Sequence, residues 1–257
     1  MTEIVTSVFA FVFGSMIGSF LNVLIWRLPA EVSVVFPRSK CPHCGSQLAW
    51  YHNIPILSFC LLKGHCSFCK ERISWQYPLV ELTIGAAFLI GIPWSFTAEA
   101  ILLYLFRNFL FGLFLVHAII DLRHRLLPDS INIVIAVLFV VYGYFYLNPL
   151  NMLLGAGIGI AFPLLVTYLF YKLRGVVGLG GGDIKLYGVL GIYLGAMGVV
   201  QNIFFSCFVG AIFGGVLIAI KKLDRKNPIP FGPFIILVAS VQIFLPDLYR
   251  SISSVLF

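Results

Sequence analysis

The sequence predicts an all-α polytopic membrane protein of about eight transmembrane helices with one small four-cysteine loop module of the zinc type. Hydrophobic residues make up 60% of the 257 residues and charged residues only 11%, whereas a soluble domain carries roughly 25% charged residues. The mean hydropathy is +1.02, and the apolar residues fall into blocks long enough to cross a bilayer. This composition excludes an ordinary soluble globular domain.

Eight apolar blocks reach, or nearly reach, the length of about 20 residues that a membrane helix needs. They cover residues 4–25, 79–94, 100–120, 131–147, 152–171, 184–199, 203–220 and 231–245. The second and sixth blocks are short and contain glycine, so the sequence defines their ends least well. We expect the first block to be a retained helix and not a signal peptide, because it opens with Glu3 and its first positive charge, Arg27, follows the apolar run.

These blocks divide the chain into three expected regions: a first transmembrane helix over 1–28, a cytoplasmic loop module over 29–78, and a multi-helix membrane domain over 79–257.

Basic residues are concentrated in alternate loops, which predicts the orientation. They are Arg27, Arg38, Lys40, Lys63, Lys70 and Arg72 in the first loop, Arg123 and Arg125 in the third, Lys172, Arg174 and Lys185 around the fifth, and Lys221, Lys222, Arg225 and Lys226 in the seventh. Short basic loops stay in the cytoplasm, so both termini are expected to face away from it. The net charge of +7 is then a signal of topology and of contact with anionic lipid, and we expect no nucleic-acid partner.

The long first loop contains two cysteine pairs, Cys41/Cys44 and Cys66/Cys69, separated by residues 45–65. Two such pairs are typical of a tetrahedral four-cysteine zinc site. A loop of this size buries too little apolar area to fold alone, and a bound metal ion supplies the missing stability. With four sulfur ligands the site would be closed and structural. The alternative, a pair of disulfides, is less consistent with a loop on the reducing side of the membrane.

Two of the ten acidic residues, Asp121 and Asp183, fall at the ends of predicted spans on the expected cytoplasmic edge. Ionisable groups at this depth are costly and are candidate functional residues. Two facing carboxyl groups do not both ionise readily, so one keeps a proton while the other takes a proton from water. This arrangement can hydrolyse a peptide bond without a metal. The sequence therefore predicts an aspartic hydrolase site.

Structural explanations for the same two acids stay open at this point. Asp183 follows a glycine run and could cap a helix N-terminus, where a carboxylate is favoured by the helix dipole. Asp121 could pair at the surface with Arg123 or Arg125. A transporter with boundary carboxylates is the alternative function, although transport sites usually lie near the midplane.

Neighbouring polar residues have less definite roles. Asp129 in Pro128-Asp129-Ser130 is expected first to start a helix and second to lie near the acids. His117 lies one turn before Asp121 and is expected to be a packing histidine with a satisfied ring. Arg107 lies about 21 Å from Asp121 along a helix, too far for a direct pair.

The order of motifs along the chain resembles the type IV prepilin peptidases, the bacterial leader peptidase/N-methyltransferases. The resemblance extends over nearly the whole chain. It rests on Gly18-Ser19-Phe20-Leu21-Asn22-Val23, Arg27-Leu28-Pro29, the two cysteine pairs, Trp50 to Ser58, Ile73-Ser74, Tyr77-Pro78-x-x-Glu81-Leu82, Asp121, Leu127-Pro128-Asp129, Gly180-Gly181-Gly182-Asp183-Ile184-Lys185-Leu186 and Pro230-Phe231-Gly232-Pro233-Phe234.

This resemblance implies an aspartic protease of the Gly-x-Gly-Asp type in the bacterial inner membrane, with Asp121 and Asp183 as the catalytic pair. It implies cleavage of a basic leader from a prepilin or pseudopilin at the cytoplasmic face, after a glycine. It also implies methylation of the new N-terminus with S-adenosylmethionine, an activity associated with the cysteine loop. Glu81 and Lys185 match family motifs, but no role is assigned to them. Which pilins or pseudopilins are substrates does not follow from the sequence.

Overall fold

A computed structural model describes residues 2–176, 178–220 and 229–256, and their regular structure is helical. The helices are α1 (Thr2–Arg27), a 3-10 helix (Trp50–Asn53), α2 (Leu57–Leu61), α3 (Gln76–Leu89), α4 (Ala98–His124), α5 (Asp129–Tyr146), α6 (Pro149–Arg174), α7 (Gly181–Ala219), α8 (Gly232–Phe244) and α9 (Pro246–Leu256). The all-α membrane fold expected from the composition is confirmed. The basic residues predicted in the seventh loop, Lys221, Lys222, Arg225 and Lys226, lie outside the described residues.

The number of membrane spans differs from the prediction. Five described helices are long and apolar enough to cross a bilayer, namely α1, α4, α5, α6 and α7, and a sixth span is possible if α8 and α9 form one bent element. The predicted count of about eight is not confirmed. The reason is length: α3 has 14 residues and α8 has 13, short of the roughly 20 that span a hydrocarbon core.

The longest helix, α7, is two antiparallel arms and not one rod. Gly195 interrupts it with φ 70° and ψ −176°, a conformation that glycine adopts without steric cost. The hydroxyl groups of Tyr187 and Ser206 lie 2.6 Å apart, whereas 19 residues of straight helix extend about 28 Å. The chain therefore turns back at Gly195, which lies inside the predicted block 184–199 and not between it and the block 203–220.

The helices divide into two compact units, Met1–Val116 and His117–Phe257, with the division inside α4. In the first unit α1 packs along α3. The Asn22 side chain joins the two helices, since its amide donates to the Tyr77 carbonyl (3.2 Å) and its oxygen accepts from Gln76 (3.1 Å).

In the second unit, α6 packs closely on the first arm of α7. Gly155 lies against the backbone of Gly191, and Gly159 lies against the backbone of Tyr187, with no room for a side chain at either position. Small residues allow membrane helices to approach in this way. Asn151 of α6 also accepts a hydrogen bond from the Ala196 amide (3.1 Å), just past the reversal. The α6–α7 contact therefore fixes where α7 begins, which positions the site described below.

We expect Gly159→Ala to destabilise the protein by about 1–3 kcal/mol, because the new methyl group overpacks a rigid backbone contact. Gly157→Ala is the matched control, since Gly157 is exposed on the same helix with nothing near its missing Cβ. Thermal unfolding of both variants in detergent tests this. Equal melting temperatures for the two variants would show that the close approach does not contribute to stability.

Candidate active site

Asp121 lies in the last turn of α4 and its side chain is only 5% exposed. Its carboxylate accepts a hydrogen bond of 2.9 Å from the backbone N–H of Gly232, the first residue of α8. The first amides of a helix have no partner within that helix, so the carboxylate satisfies one of them.

Asp183 lies in the first turn of α7 and is half-buried. Its carboxylate lies close to the backbone of Gly180, the residue that precedes the helix, and its charge interacts with that of Asp121. The structure therefore brings together the two acids that the sequence singled out.

Leu127 packs against Gly182, which precedes Asp183, and against Gly232, which bonds Asp121. Its side chain lies where a Cβ on Gly182 or on Gly232 would fall, and a Cβ on Gly232 would also lie 2.8 Å from the Asp121 carboxylate. Because Gly182 and Gly232 have no side chain, the backbone and Leu127 can approach the acids closely. The result is a small pair site formed by the ends of α4, α7 and α8.

The two structural explanations left open by the sequence, surface pairing of Asp121 and helix capping by Asp183, have different outcomes. Asp121 is buried and makes no ion pair with Arg123 or Arg125 in the part of the chain that the structure describes, although the charge of Arg125 acts on it. The capping explanation for Asp183 is supported in part, because its carboxylate lies close to the Gly180 backbone at the helix start.

Asp129 and Lys185 form an ion pair at the rim of the site. The Lys185 ammonium lies 2.7 Å and 2.9 Å from the two Asp129 carboxylate oxygens, and both side chains are more than half exposed. Asp129 begins α5 as predicted, but its side chain does not cap the helix. Since Lys185 follows Asp183 by two residues, the pair ties the start of α7 to the start of α5.

His117 is fully buried and its Nε2 lies 3.0 Å from the Asn132 side-chain oxygen on α5. Its Nδ1 has no hydrogen-bond partner among the described residues. His117 is a packing histidine as expected, but only one of its two ring nitrogens has a hydrogen-bond partner among the described residues. Sequence reasoning missed Asn132 altogether, and a buried amide in an apolar helix was the available signal.

In the first unit, the four cysteines Cys41, Cys44, Cys66 and Cys69 form one cluster, with all Sγ atoms within 4.8 Å of one another. Four thiolates at about 2.3 Å from a tetrahedral zinc ion are about 3.8 Å apart, and Cys41 and Cys69 are 3.9 Å apart. All six cysteines of the chain are free, and a sulfur separation of 3.9 Å is not a disulfide bond. The cluster therefore fits a metal ion.

The two cysteine pairs are built as matching turns. The Cys41 amide donates to the Ser46 carbonyl and the Cys66 amide donates to the Glu71 carbonyl. The residue after each pair, Gly45 or Lys70, has a positive φ. A side-chain hydrogen bond with Ser46 is the main reason that the pKa of the Cys44 thiol falls to about 6, whereas the pKa of the neighbouring Cys69 thiol rises to about 12, so the thiols of the cluster lose their protons unequally.

Glu81 of α3 is buried, and its carboxylate accepts a hydrogen bond of 2.8 Å from the backbone N–H of Ile56 in the cysteine loop. Ile56 has φ 61°, a strained conformation for a β-branched residue. Glu81 therefore holds the loop against α3, a role that could not be assigned from the sequence.

Comparisons with known proteins match both halves of the chain. Residues 12–96 match the bacterial peptidase A24 N-terminal domain, and residues 108–215 match the type IV leader peptidase family. No solved structure matches the chain.

Curated relatives named prepilin leader peptidase/N-methyltransferase align over most of their length. The relative from Stutzerimonas stutzeri is 34% identical over 93% of this chain and 90% of its own. The relative from Bacillus subtilis is 35% identical over 88% of both chains, and that from Pseudomonas aeruginosa is 33% identical over 91% of this chain and 88% of its own. The chain therefore belongs to the type IV leader peptidase family.

Proposed function

We propose that the chain is an intramembrane aspartic endopeptidase that removes the basic leader from type IV prepilins or pseudopilins, with Asp121 and Asp183 as its catalytic pair. The observation that carries the proposal is the meeting of these two acids at helix ends, inside the region that matches the leader peptidase family. The names of the relatives supply the reaction and the substrate class.

The chemistry follows from the proximity of the two carboxyl groups. Close carboxyl groups share one proton, because two negative charges at short range repel each other. The ionised group takes a proton from water as the water oxygen attacks the scissile carbonyl carbon. The protonated group donates a hydrogen bond to the carbonyl oxygen, and the departing amine takes up a proton as the peptide bond breaks. The pair titrates as a unit, so neither acid is assigned one role.

The substrate fits the expected location of this pair. A basic leader stays in the cytoplasm and the mature pilin begins as an apolar helix, so the scissile bond lies at the boundary between them. We propose that Asp121 and Asp183 face the cytoplasmic side of the bacterial inner membrane. The proposed topology has eight spans, with the two arms of α7 counted separately and with α3 and α8 as short spans supported by their neighbours.

For the cysteine cluster we propose structural zinc, held by Cys41, Cys44, Cys66 and Cys69 in the loop module 29–78. Its closed four-sulfur geometry leaves no open position for a reacting group. The relatives' names extend the proposal to N-methylation of the new N-terminus, with S-adenosylmethionine as the methyl donor. The names of the relatives support that second activity.

We expect Asp121→Asn and Asp183→Asn each to abolish detectable cleavage of a prepilin by the purified protein, because a positioned acid or base contributes about 10²–10⁴ in rate. Asp247→Asn, the same change at an exposed acid of α9, is the control and should cleave like wild type. The melting temperatures of all variants in detergent establish that they are folded. If both active-site variants cleave like the control, the acids serve only the helix ends, and a flux assay would then test the transporter alternative.

Gly232→Ala should lower cleavage by about 10²-fold, because its Cβ would displace the Asp121 carboxylate and a misplacement of about 1 Å has an effect of this size. Gly215→Ala, at an exposed glycine of α7 with open space around it, should retain activity. Single-turnover cleavage rates measure the difference. An active Gly232→Ala enzyme would mean that the hydrogen bond to Asp121 does not position it.

Metal analysis should find about one zinc ion per chain, since a tetrahedral site takes four ligands. Cys44→Ser and Cys69→Ser should lose the metal, whereas Cys60→Ser and Cys207→Ser, at cysteines outside the cluster, should keep it. A chelator should lower the melting temperature of wild type, because metal binding stabilises the folded loop. Metal-free protein with unchanged stability would rule out the zinc site.

A further inference from the structure

The cysteine loop exposes large apolar side chains although it lies between membrane helices and not within one. Trp50 is 79% exposed, Leu61 73% and Trp75 69%. Their neighbours Leu57 and Phe68 are also more than half exposed. Exposed apolar groups of this size in a cluster indicate a binding surface.

These side chains form connected groups. The rings of Trp50, Tyr51, His52 and Phe68 are in sequential contact, with centroids 5.7, 4.4 and 5.8 Å apart. This row connects the 3-10 helix to the second cysteine pair. A second contact joins Phe59 to Trp75 at 5.0 Å, immediately before α3 begins.

The loop is held close to the start of α3. The Ile56 amide is bonded to Glu81, which lies five residues after the start of α3 at Gln76 (81 minus 76), or about 7.5 Å along the helix axis. The headgroup layer on each side of a bilayer is about 5–8 Å thick. In the proposed topology, in which α3 is a short span, Ile56 and the segment around it therefore lie near the depth of the headgroups.

The other end of the loop is also folded back onto the membrane helices. The Arg27 guanidinium, at the end of α1, donates to the carbonyl oxygens of Ser33 (2.8 Å) and Pro37 (2.6 Å). These two bonds and the Glu81 bond keep the loop close to the ends of α1 and α3.

The charge of the loop complements an anionic surface. Residues 29–75 carry five exposed basic side chains and only two acidic ones, Glu31 and Glu71. The basic residues are Arg38, Lys40, Lys63, Lys70 and Arg72. Trp and Tyr are enriched at membrane interfaces, and basic residues beside the membrane are attracted to anionic lipid.

We infer that the cysteine loop is a membrane-docking module, in which the segment 50–61 and Trp75 insert shallowly among anionic lipid headgroups of the membrane that holds α1 and α3. The apolar side chains enter the boundary between headgroups and acyl chains, as in interfacial helices. Glu81 acts as the positioning residue that sets the depth of the segment.

Tryptophan fluorescence of the full-length protein in lipid nanodiscs tests this docking. Trp26→Phe, Trp75→Phe and Trp94→Phe together leave Trp50 as the sole tryptophan. We expect its emission to be blue-shifted, protected from aqueous iodide and mostly lost when the lipid carries bromine near the headgroup. The loss should be larger with phosphatidylglycerol than with phosphatidylcholine alone. The readout does not involve cleavage, so it stands or fails separately from the proposed peptidase.

Two further substitutions in the Trp50-only protein distinguish the loss of a lipid contact at segment 50–61 from a general effect of added negative charge. Leu61→Glu places a negative charge in the proposed contact and should markedly reduce bromolipid quenching. Gln47→Glu adds the same charge at an exposed position outside the segment and should leave the quenching unchanged. An equal effect of the two substitutions would contradict a contact made by segment 50–61.

Two results with the Trp50-only protein would overturn the inference. In one, Trp50 emits as in water, is open to iodide and is indifferent to bromolipid. In the other, Trp50 is protected from iodide but not quenched by bromolipid, which would mean that a protein surface, such as a second copy of the chain, covers the row of rings.

Discussion

Helix ends inside a membrane protein need partners for their backbone amides, because lipid supplies none. In this chain the two acids lie at such ends: Asp121 accepts a hydrogen bond from the first amide of α8, and the Asp183 carboxylate lies close to the backbone at the start of α7. The contact also stabilises the acids, since the N-terminus of a helix favours a negative charge. Two carboxyl groups can therefore lie close together at these helix ends.

The rest of the second unit serves to keep these helix ends in place. Glycine contacts hold the first arm of α7 against α6, and the reversal at Gly195 returns the second arm beside the first. Asn202 on that second arm bonds Gln242 of α8 at 2.7 Å. Buried polar contacts of this kind fix helix neighbours in an apolar surrounding. The position of the acid pair thus depends on packing far along the same helices.

Several features of this architecture could be predicted from the sequence. Composition indicated a helical membrane protein, and cysteine spacing indicated the cluster. Because acidic residues are scarce, Asp121 and Asp183 at the span ends were candidate functional residues. The structural role of Gly232 and the loop anchor Glu81 could not be found in this way, because each depends on a contact between distant segments. The ring partner Asn132 had a signal in the sequence, a polar amide within an apolar helix, that was missed. The count of about eight spans is not confirmed for a similar reason, since hydropathy alone does not give the length of a short helix such as α3 or its contacts with neighbouring helices.

The central claim is that Asp121 and Asp183 face each other closely enough to act on one water molecule. A double variant, Asp121→Cys with Asp183→Cys, tests it most directly in a background where Cys60 and Cys207 are serine. We predict that a short bifunctional thiol reagent bridges the two positions within one chain, so that mass spectrometry finds one linker and no free thiol at either position. Independent modification of each cysteine by its own reagent molecule, with no bridge formed in the native membrane, would contradict the claim.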